Sequence, residues 1–178
     1  MKNKWIIVLL IAIMMMLVVT GCGKSDESAT SASEEATQTK EEIDYDIAAN
    51  IKEIVDEGGE KKTIETDHFK LTLGLPNTWT YEQISMTSII IFNDAGRMFG
   101  DGGTLFTLSA YDPDDKSYED ISHYSVAGES DGKVYIAEYP EDAQADVNDE
   151  THQKEYEEIY DEVMKIESGA KDSPLEIK

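Results

Sequence analysis

Cys22 is the only cysteine of the 178-residue chain, and its thiol is the most reactive side chain that the sequence offers. It follows an apolar run, Trp5–Val19, and the two small residues Thr20 and Gly21. The run of about 15 residues fits a secretory signal and is shorter than the roughly 20 residues that span a bilayer. Because a signal peptidase accepts small residues, the sequence predicts cleavage between Gly21 and Cys22.

The string Val19-Thr20-Gly21-Cys22 resembles the lipobox of bacterial lipoproteins, although Val19 stands where that family more often has leucine. The resemblance implies that residues 1–21 are a signal peptide and that Cys22 carries a diacylglyceryl group and a fatty acid. The acyl chains would anchor the protein stably at the outer face of the cytoplasmic membrane. The alternative is an uncleaved membrane anchor in which Cys22 is an incidental buried residue.

The other reactive side chains form no recognisable catalytic pattern. The three histidines, His68, His123 and His152, fall on three predicted elements without metal-ligand spacing. The sequence contains no Gly-x-Ser-x-Gly elbow and no glycine loop followed by a phosphate-binding lysine. With Cys22 lipidated, no thiol remains as a nucleophile. We therefore expect a protein that is not an enzyme and binds no small-molecule cofactor.

One acidic cluster has the chemistry of a calcium site. It consists of Asp112, Asp114 and Asp115, with Glu119 and Asp120 nearby. Calcium prefers carboxylate oxygens, but the fifth, sixth and twelfth positions of an EF-hand starting at Asp112 would be lysine, serine and histidine. A second candidate pair, Asp94 and Asp101, flanks a glycine-rich turn. The alternative for both sets is solvated turn residues, which aspartate commonly provides.

Tyrosines offer a third candidate site. They crowd the second half of the chain, at Tyr111, Tyr118, Tyr124, Tyr135 and Tyr139. Tyr135 and Tyr139 share a predicted strand face with Ala137, opposite Val134 and Ile136. That face is either a partly exposed patch for a peptide or glycan, or a buried sheet face under a helix that supplies Tyr156 and Tyr160.

Charge limits the classes of partner. The chain has 38 acidic and 15 basic residues, and removing residues 1–21 lowers the net charge from −23 to −25. Such a body repels nucleic acid and anionic lipid head groups, and it attracts cations, cationic peptides and basic protein faces. Arg97 is the sole arginine among the basic residues, a bias that hints at an AT-rich genome and a Gram-positive bacterium.

The segment after the predicted signal has the composition of a tether. Residues 22–42 contain small and charged residues but no large apolar side chain, so they cannot offset the entropy of ordering. Beyond them an apolar face with helical spacing predicts an amphipathic helix at residues 43–58, which either docks on the domain or contacts a partner. Its members are Ile43, Ile47, Ile51, Ile54 and Val55.

Residues 62–170 are predicted to form one α+β domain, and residues 171–178 a tail. Alternating or continuous apolar runs predict strands at 69–75, 87–92, 104–111, 124–127 and 133–139. Asp131-Gly132 predicts a tight hairpin turn, residues 93–103 a long turn and residues 117–121 a short helix. The pattern at residues 148–168 predicts a long C-terminal helix ended by Gly169. We expect an antiparallel sheet of about five to six strands covered by this helix.

These elements resemble the PsbP-like α/β/α sandwich over residues 62–170. The resemblance rests on the Phe69–Leu73 strand, Pro76-Asn77-Thr78-Trp79, paired strands, the Gly132-Lys133 hairpin, Tyr139-Pro140 and the closing helix. That superfamily includes photosystem accessory subunits and small bacterial lipoproteins, so the resemblance implies an accessory module and carries over no catalytic residue. The glycine-rich turn at 94–103 departs from the pattern.

Three functional hypotheses follow. The first is a lipid-anchored accessory or binding domain without catalytic activity, whose partner is an envelope protein. The second is a lipoprotein that binds or senses cations or cationic peptides through its acidic loops. The third, an envelope hydrolase, lacks any visible arrangement of nucleophile and base.

Overall fold

The computed structural model describes residues 45–97, 102–142, 144–145 and 148–178. Nine strands and two helices lie in this part of the chain. The strands are β1 (Lys52–Val55), β2 (Lys61–Glu65), β3 (Phe69–Gly74), β4 (Trp79–Ser85), β5 (Ser88–Asn93), β6 (Thr104–Tyr111), β7 (Tyr124–Ser130), β8 (Lys133–Glu138) and β9 (Leu175–Ile177). The helices are α1 (Asp94–Arg97) and α2 (Glu150–Val163), and single 3-10 turns lie at Pro76–Thr78 and Ser117–Asp120.

The strands form two antiparallel sheets. The four-stranded sheet has the order β1-β2-β3-β9, and the five-stranded sheet has the order β4-β5-β6-β8-β7. The α+β class is confirmed, but the prediction of one sheet of five to six strands is wrong. The chain changes sheets after β3, where Leu75 takes a left-handed φ of 51° and Pro76 opens a 3-10 turn. Trp79 then begins a new strand in the second sheet.

One hydrophobic core joins both sheets and α2. Its members include Ile64, Leu71 and Leu73 from the four-stranded sheet, Ile89, Leu108 and Tyr135 from the five-stranded sheet, and Tyr156, Ile159 and Val163 from α2. Alternation along each strand sends these side chains to one face. Burying a side chain of this size contributes about 1.5–3 kcal/mol, so the shared core is what holds the sheets together.

The predicted helix at residues 43–58 is wrong where the structure describes it. Asn50 has a left-handed φ of 55°, which interrupts any helix, and residues 52–55 form β1 against β2. Ile47 is fully buried in the core, and its N–H donates to the carbonyl of Met86 at 2.9 Å. The apolar residues of this segment therefore do not share one buried face, since Ile47 is buried whereas Ile54 on β1 is 51% exposed. Residues 43 and 44 lie outside the described residues.

The C-terminal helix is shorter than predicted. Asp149 caps its start by accepting hydrogen bonds from the N–H groups of Thr151 and His152, and the helix ends at Val163 rather than near Ser168. Ile166 then turns back into the core, where it is 2% exposed. Gly169, with a φ of 74°, lies in a later turn and does not end the helix.

The predicted tail at residues 171–178 is also wrong, because residues 175–177 form β9. This strand pairs with β3, with Leu71 opposite Leu175 and Lys70 opposite Glu176. Leu175 is 3% exposed, so the strand completes the core. Lys178 holds the end of the chain through a bond of 2.8 Å from its Nζ to Glu65. The described part of the compact unit, from Tyr45 to Lys178, thus exceeds the predicted 62–170 domain at both ends.

The other local predictions fare better. The hairpin between β7 and β8 turns at Asp131-Gly132, where φ is 51° and 70°, as its Asp-Gly pair predicts. The short helix near residue 117 is a single 3-10 turn. The predicted long turn at 93–103 begins with α1, and residues 98–101 lie outside the described residues.

Tyr156 gives the fold a testable dependence on pH. Its ring is 1% exposed, and its hydroxyl donates to the carbonyl of Thr104 at 2.9 Å. Burial raises the pKa of Tyr156 to about 12. The unfolded phenol ionises near pH 10, so this stabilisation is complete below about pH 10 and is lost as the pH rises to about 12.

We therefore expect Tyr156→Phe to flatten the loss of stability between about pH 9 and 11.5, at a cost of about 1 kcal/mol at neutral pH from the lost hydrogen bond. Urea unfolding followed by far-ultraviolet circular dichroism at the two pH values measures this. Tyr124→Phe, which removes the hydroxyl of an exposed ring, is the matched control. An unchanged slope in Tyr156→Phe would contradict the expectation.

Candidate functional site

The three histidines do not meet. His68 Nδ1 lies 3.3 Å from Asp131 Oδ2, and His152 Nδ1 lies 3.3 Å from Asp149 Oδ2. His123 is exposed before β7. Each position is therefore separate, and no histidine pair shares a site.

The acidic cluster after β6 is not gathered around a common point. Asp112 pairs with Lys133 at 2.8 Å, and Asp115 accepts the Ser117 N–H at 2.9 Å. That backbone hydrogen bond lowers the pKa of the Asp115 carboxyl. Asp114 is exposed. The Asp115 bond is local turn geometry, as expected for a solvated turn residue, whereas the Asp112 carboxylate pairs with a lysine of β8.

The remaining candidate ligands are equally scattered. Glu119 and Asp120 are exposed on the 3-10 turn, and Asp94 is exposed at the start of α1. Asp101 lies outside the described residues. Within the described ranges, no three His, Cys, Asp or Glu side chains are placed to hold one metal ion.

Tyr135 and Tyr139 are buried and do not form a surface patch. Tyr135 is fully buried, and Tyr139 is 9% exposed. Tyr45 donates its hydroxyl to that of Tyr135 at 3.2 Å, and Tyr139 donates to the carbonyl of Val163 at 3.1 Å. Burial raises the pKa of both Tyr135 and Tyr139, so both phenols stay neutral. Of the two alternatives for Tyr135 and Tyr139, the structure therefore agrees with a buried sheet face beneath α2 and not with a partly exposed patch.

A second group of tyrosines lies on the opposite face of the five-stranded sheet. Tyr118, from the 3-10 turn, lies between two other rings, with centroids 5.4 Å from Tyr111 and 5.7 Å from Tyr124. Both contacts are edge-to-face, the geometry that aromatic quadrupoles favour. Val134 and Ile136 of β8 lie beneath Tyr118 in a second small core.

The cluster extends along β7 to an exposed edge. Tyr124 is 37% and Val126 38% exposed, and Val126 lies opposite Ile136, on the same face. We call the surface formed by Tyr111, Tyr118, Tyr124 and Val126 the tyrosine face. It offers apolar ring area beside hydroxyl groups, the combination that favours tyrosine at protein interfaces.

Two polar contacts fix the orientation of its rings. Tyr111 donates its hydroxyl to Glu138 Oε1 at 2.9 Å, and burial raises the pKa of Tyr111 to about 12. Lys116 Nζ donates to the Tyr118 hydroxyl at 3.0 Å, and this bond raises the pKa of the lysine. The Tyr111 phenol therefore remains neutral. The tyrosine face can stack and form hydrogen bonds, but it presents no activated nucleophile.

A second feature is a cleft of about 390 Å³ beside the four-stranded sheet. We call it the lysine cleft, because Lys61, Lys70 and Lys165 line it. Its lining also includes Gly74 and Glu162, which are joined by a bond of 2.8 Å from the Gly74 N–H to Glu162 Oε2. The cleft thus combines cationic groups with a fixed carboxylate.

Comparisons with protein-family models, curated proteins and solved structures found no significant match for this chain. Among the described residues, no helix is long and apolar enough to cross a membrane.

The sequence indicated the tyrosines but left open whether Tyr135 and Tyr139 are exposed or buried, and it did not single out Tyr124 as the exposed one. The alternation Val134-Tyr135-Ile136-Ala137 is apolar on both faces, which indicates a strand that is covered on both sides. The face of β8 that carries Val134 and Ile136 is covered by Tyr118 from the 3-10 turn. The lysine cleft had no signal in the sequence, because its lysines are far apart in the chain.

Proposed function

We propose that this protein is a lipid-anchored, extracytoplasmic accessory or binding protein without catalytic activity, and that its tyrosine face contacts an envelope protein. The observation that carries the proposal is the edge-to-face tyrosine cluster, which continues to exposed Tyr124 and Val126. Interface cores are enriched in tyrosine, whose rigid ring loses little entropy on binding. A net charge of −23 favours a partner whose docking surface has a basic rim.

The location is part of the proposal. The lipobox-like Val19-Thr20-Gly21-Cys22 supports processing before Cys22, with diacylglycerol and a fatty acid as its only covalent additions. The domain would then stand at the outer face of the cytoplasmic membrane of a Gram-positive bacterium. Residues 22–42 would tether it, with a root-mean-square reach of roughly 25 Å.

The PsbP-like resemblance also remains a proposal. In its favour, Trp79 follows Pro76 into the core, the strands are antiparallel, and α2 packs against them. The division into two sheets differs from a single central sheet. For function, the resemblance implies an accessory role. We propose that the tyrosine face is the surface that performs this role.

Site-specific photocrosslinking in intact cells tests the proposal. A photoreactive residue in place of Val126 should crosslink to one reproducible envelope protein, identified by mass spectrometry. The same probe in place of Glu157, which is exposed on α2, is the matched control and should give no such product. With the probe at Val126, Tyr124→Ala should reduce the crosslink by roughly tenfold, because truncating a central interface tyrosine commonly costs more than about 1 kcal/mol.

Equal crosslinking from Val126 and Glu157 would contradict a role for the tyrosine face. A product that is a short basic peptide would replace the protein partner with the alternative function, a lipoprotein that binds cationic peptides. The high negative charge gives that alternative its only support. The Tyr124→Ala variant distinguishes the two, since long-range charge attraction does not depend on a neutral ring.

A further inference from the structure

The lysine cleft collects ammonium groups that lack ion-pair partners. None of Lys61, Lys70 and Lys165 forms an ion pair within the described part of the chain. Five other basic residues do, in the pairs Lys62–Glu53, Arg97–Glu82, Lys133–Asp112, Lys154–Glu158 and Lys178–Glu65, whereas Lys52, Lys116 and Lys171 of the described chain also form none. Since acidic residues outnumber basic ones by 38 to 15, a shortage of carboxylates does not explain the three unpaired lysines.

Three distant parts of the chain build the cleft. Lys61 on β2 lies opposite Gly74 on β3, and Lys70 on β3 lies opposite Glu176 on β9. Lys165 follows the end of α2. Alternation places Lys70 on the face of β3 that points away from the core, so its ammonium group is exposed. The lining thus carries three ammonium groups from separate elements, together with the exposed carboxylates of Asp172 and Glu176.

Glu162 supplies a fixed acceptor in the inner part of the cleft. Its Oε2 accepts the Gly74 N–H at 2.8 Å, and its side chain is only partly exposed. A Cβ at position 74 would lie 2.7 Å from Glu162 Oε1, so any larger residue there would displace the carboxylate. Within the described residues, Oε1 has no hydrogen-bond donor. It is therefore available to a donor on a bound molecule.

We propose that the lysine cleft binds a small molecule with an oxyanion at one end and hydroxyl or ammonium donors at the other. The oxyanion, a phosphate or a carboxylate, contacts Lys61, Lys70 and Lys165 by charge-assisted hydrogen bonds. The donor end reaches Glu162 Oε1. The volume of about 390 Å³ suits such a ligand and lies at the lower end of the range for small-molecule sites. This site is separate from the tyrosine face and does not depend on the proposed function.

Nuclear magnetic resonance of the 15N-labelled full-length chain in detergent micelles tests the proposal. Titration with glycerol 3-phosphate should shift the amide signals of Gly74 and Glu162 in a saturable way and leave that of Tyr124 unchanged. L-serine, whose oxyanion is a carboxylate, is the second probe, and saturable binding of either supports the site. No saturable shift with either probe up to about 20 mM would overturn the proposal, since that limit excludes all but very weak affinity.

Variants separate specific binding from general charge attraction. Lys70→Gln and Lys165→Gln should each weaken binding about tenfold, the effect of losing one charge-assisted hydrogen bond. Lys154→Gln removes the same charge from the exposed face of α2 and should leave affinity unchanged. An equal loss in Lys154→Gln would overturn the proposal.

The role of the carboxylate has its own test. Inorganic phosphate has no hydroxylated organic end, so it should bind at least about tenfold more weakly than glycerol 3-phosphate. Glu162→Gln can still accept the Gly74 N–H, and it should weaken glycerol 3-phosphate without affecting inorganic phosphate. Equal affinity of the native chain for both anions would overturn the two-ended site.

Discussion

Replacing Trp79 with alanine should lower the free energy of unfolding by about 3–5 kcal/mol, the usual cost of removing a buried indole. Trp79 is fully buried at the start of β4, directly after the chain changes sheets. A small domain has only about 5–15 kcal/mol of stability, so this variant should be partly unfolded at physiological temperature. Urea unfolding of the full-length chain, followed by far-ultraviolet circular dichroism, measures the change.

The loss should be large because Trp79 also holds a buried lysine. Lys62 is 7% exposed, its Nζ lies 4.7 Å from the centre of the Trp79 ring, and it donates to the Trp79 carbonyl at 2.9 Å. Glu53, on the edge strand β1, lies 3.2 Å from the same Nζ. Without the ring, the ammonium group keeps its polar partners but loses a cation–π contact and the packing of its apolar stem.

Trp79→Phe is the matched control, and it should cost far less. The indole N–H is buried and has no hydrogen-bond partner among the described residues. Phenylalanine removes that unsatisfied donor, which offsets part of the lost volume, and it keeps an aromatic face toward Lys62. We expect a net loss of about 1 kcal/mol. Equal losses in the two variants would show that the ring face contributes nothing beyond its indole edge.

The sequence predicts strands well wherever turn chemistry is local. The hairpin of β7 and β8 needs positive φ at two consecutive residues, and Asp131-Gly132 provides them within the turn itself. The alternation of Phe69, Leu71 and Leu73 likewise defines β3, because one face of the strand is buried. In both places local preference and tertiary packing agree.

The segment before β2 shows why the other predictions failed. Its isoleucines and valine have helical spacing, but Ile54 and Val55 are β-branched and suit a strand equally well. Pairing with β2 selects the strand, and Asn50 in a left-handed conformation separates Ile47 from it. Similarly, three residues are enough for β9 only because β3 offers a free edge. The pairing of β9 with β3 is between residues about 100 positions apart and so leaves no pattern in a short sequence window.

The two candidate surfaces also differ in how far apart their residues lie in the sequence. The tyrosine face could be predicted in part from the sequence, because Tyr118 and Tyr124 lie close together in the chain. The lysine cleft joins Lys61 and Lys70 to Lys165. All five strands of the second sheet lie between Lys70 and Lys165 in the sequence. Only the packing of α2 and β9 against β3 brings these ammonium groups together.

Cys22→Ser should abolish lipid attachment to the protein. A serine hydroxyl is not ionised near neutral pH and lacks the nucleophilicity of a thiolate, so it should not accept the diacylglyceryl group. Since lipidation precedes cleavage at a lipobox, the variant should accumulate as the precursor that keeps residues 1–21. Metabolic labelling with a radioactive fatty acid measures the first effect, and intact-mass measurement of the isolated protein measures the second.

Ser25→Ala is the control, because it changes the predicted tether three residues beyond Cys22 and should leave labelling and processing at the native level. The alternative, an uncleaved anchor with an incidental cysteine, gives the opposite pattern. Under that alternative the native chain takes up no fatty acid and has the same amino terminus as Cys22→Ser. A native protein that begins at residue 1 would thus contradict the proposed lipoprotein. A native protein that begins at acylated Cys22 would place the folded domain outside the cytoplasmic membrane, and both candidate surfaces would then contact their ligands there.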